Sequence, residues 1–468
     1  MFAKLQRIHF VGIGGIGMSG IAEVLLNLGY KVSGSDLKLS PVTERLASLG
    51  AIVFEGHNAA NVSEAEVVVI SSAVRDDNPE VEAARREHVP VIRRAEMLAE
   101  LMRLKYGIAI AGMHGKTTTT SMVAAVLAAG GLDPTVVVGG RVDAMGSNAR
   151  LGKSQYLVAE ADESDRSFLN LSPILSVVTN IDREHMDCYR NMRDVKRTFI
   201  EFMDRVPFYG MVVVCNDDPL VRGLLPKVQR RTLTYGTRRG SDFRITPGKV
   251  ECAQDHRPVT RFRVHYQDKD LGEFTLHVPG THNILNATAA IAVGIGLDIS
   301  VENIRGALEE FRGVDRRFQV RGQAGGITVV DDYGHHPTEI KATLSAARQC
   351  GYGRIHVIFQ PHRYSRTQAL MDEFATAFAE ANSLFVLDIY AASERPIEGV
   401  SAEALVERIR QSGHPDVRHV GSFTDAVEAV LSAAKEGDLI LTLGAGNVHQ
   451  LGPMLLNSLA VAQPSSSR

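Results

Sequence analysis

Short apolar runs alternate with stretches of helical periodicity along most of the chain, and many of these runs end in glycine or polar residues. The segments Ile8 to Val11, Val67 to Ile70 and Gly107 to Ala111 are runs of this kind. Strands that alternate with helices predict parallel, doubly wound sheets, in which binding sites lie at the carboxyl ends of the strands. The pattern therefore predicts an α/β protein whose functional residues follow its strands.

The pattern changes between residues 231 and 279, where short runs of alternating polarity replace the α/β alternation. Such runs predict antiparallel strands, as an insertion or as an extension of a sheet. An alanine-rich helix follows and reaches about Gly294, and Asn283 is predicted as its N-cap. The neighbouring His282 and Asn286 carry an imidazole and an amide, which suit the edge of a purine.

The length of 468 residues predicts about three domains, each long enough to bury a core. Hydrophobic residues make up 44% of the chain and charged residues 22%, as in soluble globular proteins. The net charge of −3 and the lack of a long apolar run in the sequence predict no nucleic-acid partner and no membrane partner. Four cysteines without metal-binding spacing predict a cytoplasmic protein, and the sequence leaves monomer and homodimer open.

A glycine loop follows the apolar run that ends at Ala111 and leads into a stretch of helical periodicity. Glycines let a backbone turn its N–H groups toward a phosphate, and the start of a helix adds a positive dipole. A lysine here reaches the β/γ-phosphates, and a threonine ligates Mg²⁺. The loop is shorter than the usual phosphate loop, so a tight structural turn is the competing interpretation. The sequence predicts an ATP site formed by Gly112, Met113, His114, Gly115, Lys116, Thr117 and Thr118.

Acidic residues follow the predicted strand from Tyr156 to Ala159. In a phosphate-loop domain, the acid at the end of a neighbouring strand usually meets Mg²⁺, so Glu160 is a candidate ligand. A solvated acidic loop is the alternative. His185 follows a further strand and has acidic neighbours in the sequence, which makes it a candidate metal or phosphate ligand. A structural role for this histidine is the competing interpretation.

The first segment contains a βαβ pattern with a second glycine loop, from Gly12 to Gly17, and the acidic Asp36 about 20 residues further on. His57 and the pair Ser71 and Ser72 follow other predicted strands, so we expect them on the same rim. Taken alone, this fingerprint indicates a nicotinamide-dependent oxidoreductase. The same backbone physics also suits the diphosphate of another nucleotide.

Predicted strands in the last segment end in polar or glycine clusters, which predicts a further doubly wound sheet. Arg363 and Arg366 lie three residues apart, so both can point the same way from the first turn of a helix. Arginine presents a fork that matches a carboxylate or a phosphate, and a solvated helix start is the alternative. The pair His335 and His336 precedes Pro337 and is predicted to begin a helix rather than to bind a metal.

Motifs throughout the chain resemble those of the Mur ligase family of cell-wall amino-acid ligases. The resemblance covers nearly the whole chain and rests on Gly12 to Gly20, Ser71 to Val74, Gly112 to Thr119, Glu160 to Ser164, Asp332 to Pro337 and Phe359 to Thr367. The short loop before Lys116 is similar to the family's own form.

The resemblance implies an α/β fold of three domains: a Rossmann-like N-terminal domain, a P-loop ATPase-like central domain and a Rossmann-like C-terminal domain. It implies that residues 1–105 bind UDP-N-acetylmuramate, residues 106–314 bind ATP, and residues 315–468 bind the amino acid. The implied activity is the ATP-driven joining of L-alanine to the lactyl carboxylate of the sugar nucleotide, through an acyl phosphate, in peptidoglycan biosynthesis.

Roles for individual residues follow from the same resemblance. It implies catalytic roles for Lys116, Glu160 and His185. Two Mg²⁺ ions would be bound by Thr117, Glu160 and His185. Besides the glycine loop, ATP would contact His282, Asn283, Asn286, Arg317 and Asp332. The sugar nucleotide would contact Gly12, Gly14, Gly15, Gly17, Asp36, His57, Ser71 and Ser72. The amino-acid end would be lined by Tyr333, His362, Arg363 and Arg366.

Three other functions compete with this one. A nicotinamide-dependent oxidoreductase would leave Lys116 without a role, and a P-loop switch ATPase would hydrolyse ATP without a sugar nucleotide. A sister ligase that joins a preformed peptide to the same UDP-sugar shares the main motifs. The stretch from Gln360 to Thr367 favours free alanine as the acceptor.

Overall fold

The computed structural model describes residues 6–71, 73–142, 147–252 and 258–461. The chain divides into two compact units. Unit 1 comprises Met1–Thr246, Arg263–Phe274 and Leu285–Phe311, and unit 2 comprises Pro247–Phe262, Thr275–Ile284 and Arg312–Arg468. This division leaves the domain limits at residues 105 and 314 as predictions. No helix in the described ranges is both long enough and apolar enough to cross a membrane.

The first sheet, in unit 1, is parallel and has the order β3-β2-β1-β4-β5. Its strands are β1 (Arg7–Val11), β2 (Lys31–Asp36), β3 (Ile52–Glu55), β4 (Val67–Ile70) and β5 (Val91–Arg93). The connecting helices are α1 (Ile16–Asn27), α2 (Pro41–Ser48), α3 (Pro79–Arg86) and α4 (Arg94–Arg103). Strand order reverses at β1, which opens a crevice at the carboxyl ends of the strands.

The second sheet of unit 1 has the order β12-β11-β10-β6-β9-β7-β8. Its strands are β6 (Tyr106–Ala111), β7 (Thr135–Val142), β8 (Ser147–Arg150), β9 (Tyr156–Glu160), β10 (Leu175–Val178), β11 (Met211–Cys215) and β12 (Thr232–Gly236). The helices between them are α5 (Lys116–Ala129), α6 (Met192–Asp204) and α7 (Pro219–Arg222). Strand β6 lies between β10 and β9, so the loop after β6 is flanked by the ends of both neighbours.

The alternating segment extends this sheet beyond β12 through β13 (Phe243–Cys252), β14 (Pro258–Tyr266) and β15 (Lys269–Leu276). The sheet-extension interpretation is therefore confirmed. Helices α8 (Thr281–Gly296) and α9 (Val301–Glu310) follow. The prediction of Asn283 as an N-cap is wrong, because α8 begins at Thr281. Asn283 lies in the first turn of α8, where its Nδ2 donates to the Pro279 carbonyl at 2.7 Å.

The third sheet, in unit 2, has the order β16-β17-β21-β18-β19-β20. Its strands are β16 (Gln319–Ala324), β17 (Ile327–Asp332), β18 (Ile355–Phe359), β19 (Ser383–Val386), β20 (Val417–His419) and β21 (Leu439–Leu443). Its helices are α10 (Pro337–Gln349), α11 (Tyr364–Ala369), α12 (Met371–Ala375), α13 (Ala402–Gln411), α14 (Phe423–Ala433) and α15 (Leu451–Val461). The predicted helix start is confirmed, since His336 caps α10 by accepting the Thr338 N–H at 3.3 Å.

Candidate active site

A cleft of about 820 Å³ opens at the carboxyl ends of the first sheet. It is lined by the predicted substrate-binding residues Gly12, Gly14, Gly15, Asp36, His57 and Ser71. Gly17 lies at the start of α1 against Arg94 instead, and Ser72 is outside the described residues. The structure thus brings together residues from four separate strand ends, as the rim prediction requires.

The glycine loop of this cleft is held by Asp36. Asp36 Oδ2 accepts the Gly14 N–H at 2.8 Å, and a Cβ on Gly14 would lie 2.8 Å from the same oxygen. The carbonyl of Ser35 accepts the N–H groups of Gly12 and Ile13 at 2.8 and 2.9 Å. The end of strand β2 therefore holds the glycine loop through these hydrogen bonds. Asp36 both stabilises the loop conformation and lines the cleft.

Two cationic residues of the cleft, Lys38 and Arg75, are not predicted from the sequence. Their positive charge suits a diphosphate. Both lie a few residues beyond a strand end, after β2 and β4 respectively. This position shortly after a strand is the sequence signal that could have identified them as residues of the cleft.

The loop between β6 and α5 requires glycine at two positions. Gly112 has a φ of +133°, and a Cβ there would lie 2.0 Å from Thr179 Oγ1. Gly115 has a φ of +81°, and a Cβ there would lie 2.7 Å from Asn286 Oδ1. L-residues rarely adopt such backbone angles, and the space is already filled. The same contact places Asn286, a predicted ATP contact, against the loop.

Two polar residues at the end of β10 brace this loop. The Asn180 side chain accepts the His114 N–H at 2.8 Å and donates to the His114 carbonyl at 2.9 Å. Thr179 Oγ1 donates to the same carbonyl at 2.7 Å. The backbone N–H of Met113, a residue predicted to contact the ATP phosphates, donates to the Asn180 carbonyl at 3.3 Å. This N–H is thus used in a hydrogen bond within the protein. The sequence does not predict the role of Thr179 and Asn180, because that role depends on β10 lying next to β6.

The Lys116 ammonium is held by a buried carboxylate. Its Nζ lies 2.7 Å from Glu163 Oε1 and 2.7 Å from the Gly112 carbonyl oxygen. Burial by itself would lower the pKa of Lys116, but the Glu163 charge outweighs it and the pKa is raised. Burial raises the pKa of Glu163 to about 7, despite the opposing effect of Lys116. Glu163, which was part of the acidic motif but not predicted as a site residue, is thus the direct partner of Lys116.

The other predicted catalytic residues lie around this pair. His185 Nε2 is 3.7 Å from Glu163 Oε1 and 3.9 Å from Glu184 Oε1. Glu160 is the last residue of β9 and is paired in register with Ile110 on β6. Thr117 is partly exposed in the first turn of α5, whereas Thr118 is buried. Strand ends and helix start therefore converge near Lys116.

Arg94 joins the first glycine loop to the acidic loop. Its Nη2 lies 3.0 Å from Asp162 Oδ2, and a Cβ on Gly17 would lie 2.8 Å from its Nη1. The other Asp162 oxygen, Oδ1, accepts the Ser164 N–H at 3.1 Å and its hydroxyl at 2.6 Å. Burial would raise the pKa of Asp162, but these hydrogen bonds and Arg94 lower it. The sequence does not predict this contact, because Arg94 lies 68 residues before Asp162.

In unit 2, Asp332 fixes the turn that follows β17. Its two oxygens accept the N–H groups of Phe318 and Gly334, each at 2.7 Å. Burial raises the pKa of Asp332 to about 6. The preceding Asp331 binds Arg316 Nε at 3.0 Å. The carboxylate of Asp332 is therefore engaged with the backbone. Its contact with the nucleotide stays a prediction.

A cationic and aromatic cluster surrounds Tyr333. The guanidinium carbons of Arg316 and Arg317 lie 5.0 and 5.2 Å from the Tyr333 ring centroid. Burial, and then the charge of Arg317, lower the pKa of His282 to about 4. His282 is therefore neutral near pH 7, and a neutral imidazole can both donate and accept a hydrogen bond.

The predicted amino-acid-binding residues cluster at the end of β18. His362 stacks on Tyr390 with ring centroids 5.6 Å apart, and burial, His335 and Arg366 lower its pKa to about 3. Arg366 Nη1 donates to the His362 carbonyl at 3.3 Å. Arg363 precedes α11 with a φ of +71°, a conformation that costs about 1–3 kcal/mol in a residue with a side chain and often marks a functional site.

Three α/β sheets with glycine loops after β1 and β6 define a multidomain α/β protein of nucleotide-binding type. Family models match residues 7–106 ("Mur ligase family, catalytic domain"), 110–294 ("Mur ligase middle domain") and 316–446 ("Mur ligase, glutamate ligase domain"). A Koribacter versatilis protein named UDP-N-acetylmuramate–L-alanine ligase is 69% identical over 98% of this chain and 98% of its own. The chain belongs to the Mur ligase family.

Solved structures agree with this membership. The UDP-N-acetylmuramate–alanine ligase of Thermotoga maritima superposes with a TM-score of 0.81 at 31% identity and covers 98% of this chain and 100% of its own. A murein peptide ligase of Psychrobacter arcticus gives 0.68 at 24% identity, covering 97% and 99% of the two chains, which shows the shared fold alone. The predicted family and the three-part α/β architecture are confirmed.

Replacement of Glu163 by glutamine should change how stability depends on pH. The pKa of Glu163 is raised by the fold from 4.5 to about 7. The protonated form therefore contributes stability that is fully present below the unfolded pKa and is lost as pH rises through the folded pKa. Relative to Glu163→Gln, the wild type should lose free energy of unfolding between about pH 4.5 and 7. Urea denaturation followed by circular dichroism at several pH values measures this difference.

The matched control is Glu201→Gln, which changes an exposed carboxylate on α6. The difference in free energy of unfolding between Glu201→Gln and the wild type should not change with pH over the same range. If the corresponding difference for Glu163→Gln also does not change, Glu163 is ionised throughout that range.

Proposed function

We propose that this chain is an ATP-dependent ligase that joins L-alanine to the lactyl carboxylate of UDP-N-acetylmuramate. The products are UDP-N-acetylmuramoyl-L-alanine, ADP and phosphate, made in the cytoplasm for peptidoglycan biosynthesis. The observation that carries the proposal is the 69% identity, over 98% of both chains, to a relative named for this reaction. The two glycine loops within unit 1, linked by Arg94 and Asp162, support it.

The reaction has to bring two anions together, the triphosphate and the lactyl carboxylate. The carboxylate oxygen attacks the γ-phosphorus, the bond to the bridging oxygen breaks, and ADP leaves with the electron pair. Lys116 and the N-terminus of α5 supply positive potential where negative charge develops, and preorganised charge of this kind is usually the largest catalytic contribution. Glu163 keeps the ammonium in place beside the loop at 2.7 Å.

Mg²⁺ would be held by Thr117, Glu160 and His185, and we propose two ions. Thr117 and Glu160 fit this role, since hydroxyl and carboxylate oxygens are the ligands that Mg²⁺ prefers and Glu160 ends the strand beside the phosphate loop, whereas His185 would contribute a nitrogen. Bound Mg²⁺ neutralises phosphate charge. The ATP base would contact His282, Asn283 and Asn286, of which Asn286 lies against Gly115.

The sugar nucleotide would occupy the cleft of the first sheet. Its diphosphate would lie on the loop from Gly12 to Gly15, with Lys38 and Arg75 as further cationic contacts. Arg94 connects the end of this loop to Asp162, two residues beyond Glu160. The two binding loops are thereby kept in a fixed relation within unit 1.

L-Alanine would be bound through its carboxylate by Arg363 and Arg366. Arginine forks match carboxylates, and His362, whose pKa is lowered to about 3, adds a neutral ring beside them. The neutral amine of alanine then attacks the acyl carbon, and phosphate leaves. Exclusion of water protects the acyl phosphate until this step.

The rival function is the addition of a preformed peptide to the same sugar nucleotide. Phosphate release with UDP-N-acetylmuramate should be fast with L-alanine and slow with alanyl peptides. Glycine and L-serine should be discriminated less sharply, because a methyl-sized pocket distinguishes such ligands by only about 1–3 kcal/mol. Preference for a peptide would overturn the proposal, as would phosphate release that does not need the sugar nucleotide.

Replacement of Lys116 by alanine should abolish most of the activity. Loss of a preorganised positive charge costs several kcal/mol of transition-state stabilisation, on the order of a thousandfold in kcat. Phosphate release with saturating UDP-N-acetylmuramate, ATP and L-alanine measures the effect. Lys153→Ala removes an exposed lysine from the same unit and should retain full activity. Wild-type turnover by Lys116→Ala would refute the ATP assignment.

Replacement of Arg363 by alanine should chiefly raise the KM for L-alanine. A residue that binds the carboxylate equally in the ground and transition states affects KM with little change in kcat. Steady-state kinetics at fixed, saturating ATP and sugar nucleotide separate the two constants. The exposed Arg354 of the same unit provides the control, Arg354→Ala, with no expected change. An unchanged KM in Arg363→Ala would exclude the predicted contact.

A further inference from the structure

A buried carboxylate lies behind the cleft of the first sheet and has no part in the reaction proposed above. Glu80 is the second residue of α3, and its side chain has no exposed surface. Its Oε2 lies 2.5 Å from Ser35 Oγ and 3.3 Å from His57 Nδ1. Its Oε1 accepts Asn61 Nδ2 at 2.6 Å and the Asn58 N–H at 3.3 Å. An unpaired buried charge is costly, and here donors surround both oxygens.

The contacts keep Glu80 ionised. The buried His9 places its Nε2 3.6 Å from Glu80 Oε2, and its Nδ1 is 2.9 Å from Ser33 Oγ. Burial alone would raise the pKa of Glu80, but the contacts with His9, Ser35 and Asn61 outweigh it and lower the pKa to about 2. Glu80 is therefore ionised near neutral pH, where its two oxygens can only accept hydrogen bonds.

The direction of the hydrogen bonds fixes the tautomer of His57. Ser35 has a single hydroxyl hydrogen, which it donates to the Glu80 carboxylate. Ser35 Oγ must then accept from His57 Nδ1, which lies 2.9 Å away. In the neutral ring the proton is on Nδ1, and Nε2 carries the lone pair. Since Nδ1 is directed at Ser35 and Glu80, Nε2 is the nitrogen left for the cleft that His57 lines.

We propose that Glu80 is a positioning residue that acts through Ser35 and His57 to recognise the nucleoside part of the sugar nucleotide. This inference rests on the proposed function for the identity of the ligand. The unprotonated His57 Nε2 accepts a hydrogen bond, and the nucleoside offers donors in its uracil N3–H and its ribose hydroxyls. The ionised diphosphate offers none, so we assign the phosphates to the glycine loop and the nucleoside to His57.

The test combines binding with the tautomeric state of His57. Each oxygen of the Glu80 carboxylate faces two hydrogen-bond donors. In Glu80→Gln one of these oxygens becomes an NH₂ group, which is itself a donor and so cannot accept from the pair it faces. Nitrogen-15 spectra of histidine-labelled protein should show the Nδ1-protonated His57 in the wild type and a changed tautomer population in Glu80→Gln. The Kd for UDP-N-acetylmuramate should rise about tenfold or more, with kcat at saturation little changed. The Kd for inorganic pyrophosphate should stay the same.

A double-mutant cycle separates positioning from general damage. If Glu80 acts through His57, Glu80→Gln should weaken binding in the wild type but add nothing in the His57→Ala background. The exposed Glu82 on the same helix gives the matched control, Glu82→Gln, which should change neither readout. If Glu80→Gln does not fold, Ser35→Ala takes its place in the cycle.

An unchanged His57 tautomer or fully additive binding losses would overturn the inference. Equal weakening of pyrophosphate binding would also overturn it, because that result indicates general distortion of the cleft. If the wild-type protein itself does not bind UDP-N-acetylmuramate, the proposed function fails instead, and the tautomer result still reports on Glu80 and His57.

Discussion

The ion pair between Lys116 and Glu163 is the interaction on which the centre of unit 1 depends. It joins two stretches 47 residues apart, the phosphate-type loop and the acidic loop after β9, at 2.7 Å. The side chain of Glu163 is only 1% exposed, and the nearby Lys116 ammonium offsets part of the cost of ionising this carboxyl group there. The neighbouring Asp162 binds Arg94 and, through it, the start of α1. One short acidic loop therefore orders the glycine loops of both sheets.

The proposed reaction joins two substrates and needs several kinds of group, which lie at the strand ends of the three sheets. The first sheet contributes glycine backbone and cations after β1, β2 and β4. The second contributes a lysine and acids after β6 and β9, and the third contributes arginines and aromatic rings after β17 and β18. A relative 69% identical over nearly its whole length is named for the joining of alanine to UDP-N-acetylmuramate. The proposed reaction uses each of these groups.

The sequence predicted the structural elements that depend on residues close together in the chain. Apolar runs, glycines and capping residues predicted the sheets, both glycine loops and the start of α10, because these depend on neighbours within one turn or one strand. It was insufficient where a contact depends on strand order: Thr179 and Asn180 brace the loop only because β10 lies beside β6, and Glu163 meets Lys116 only across the sheet. The N-cap prediction for Asn283 failed because a side chain that can cap can also donate to a carbonyl before the helix.

In the proposed reaction, the γ-phosphate is transferred to the lactyl carboxylate before alanine attacks. UDP-N-acetylmuramate labelled with ¹⁸O in its lactyl carboxylate tests this claim directly, by mass spectrometry of the phosphate released with ATP and L-alanine. Each released phosphate should carry one oxygen from the labelled carboxylate, since the bond between the acyl carbon and that oxygen breaks when the amine attacks. Unlabelled phosphate, released together with the amide product, would contradict it.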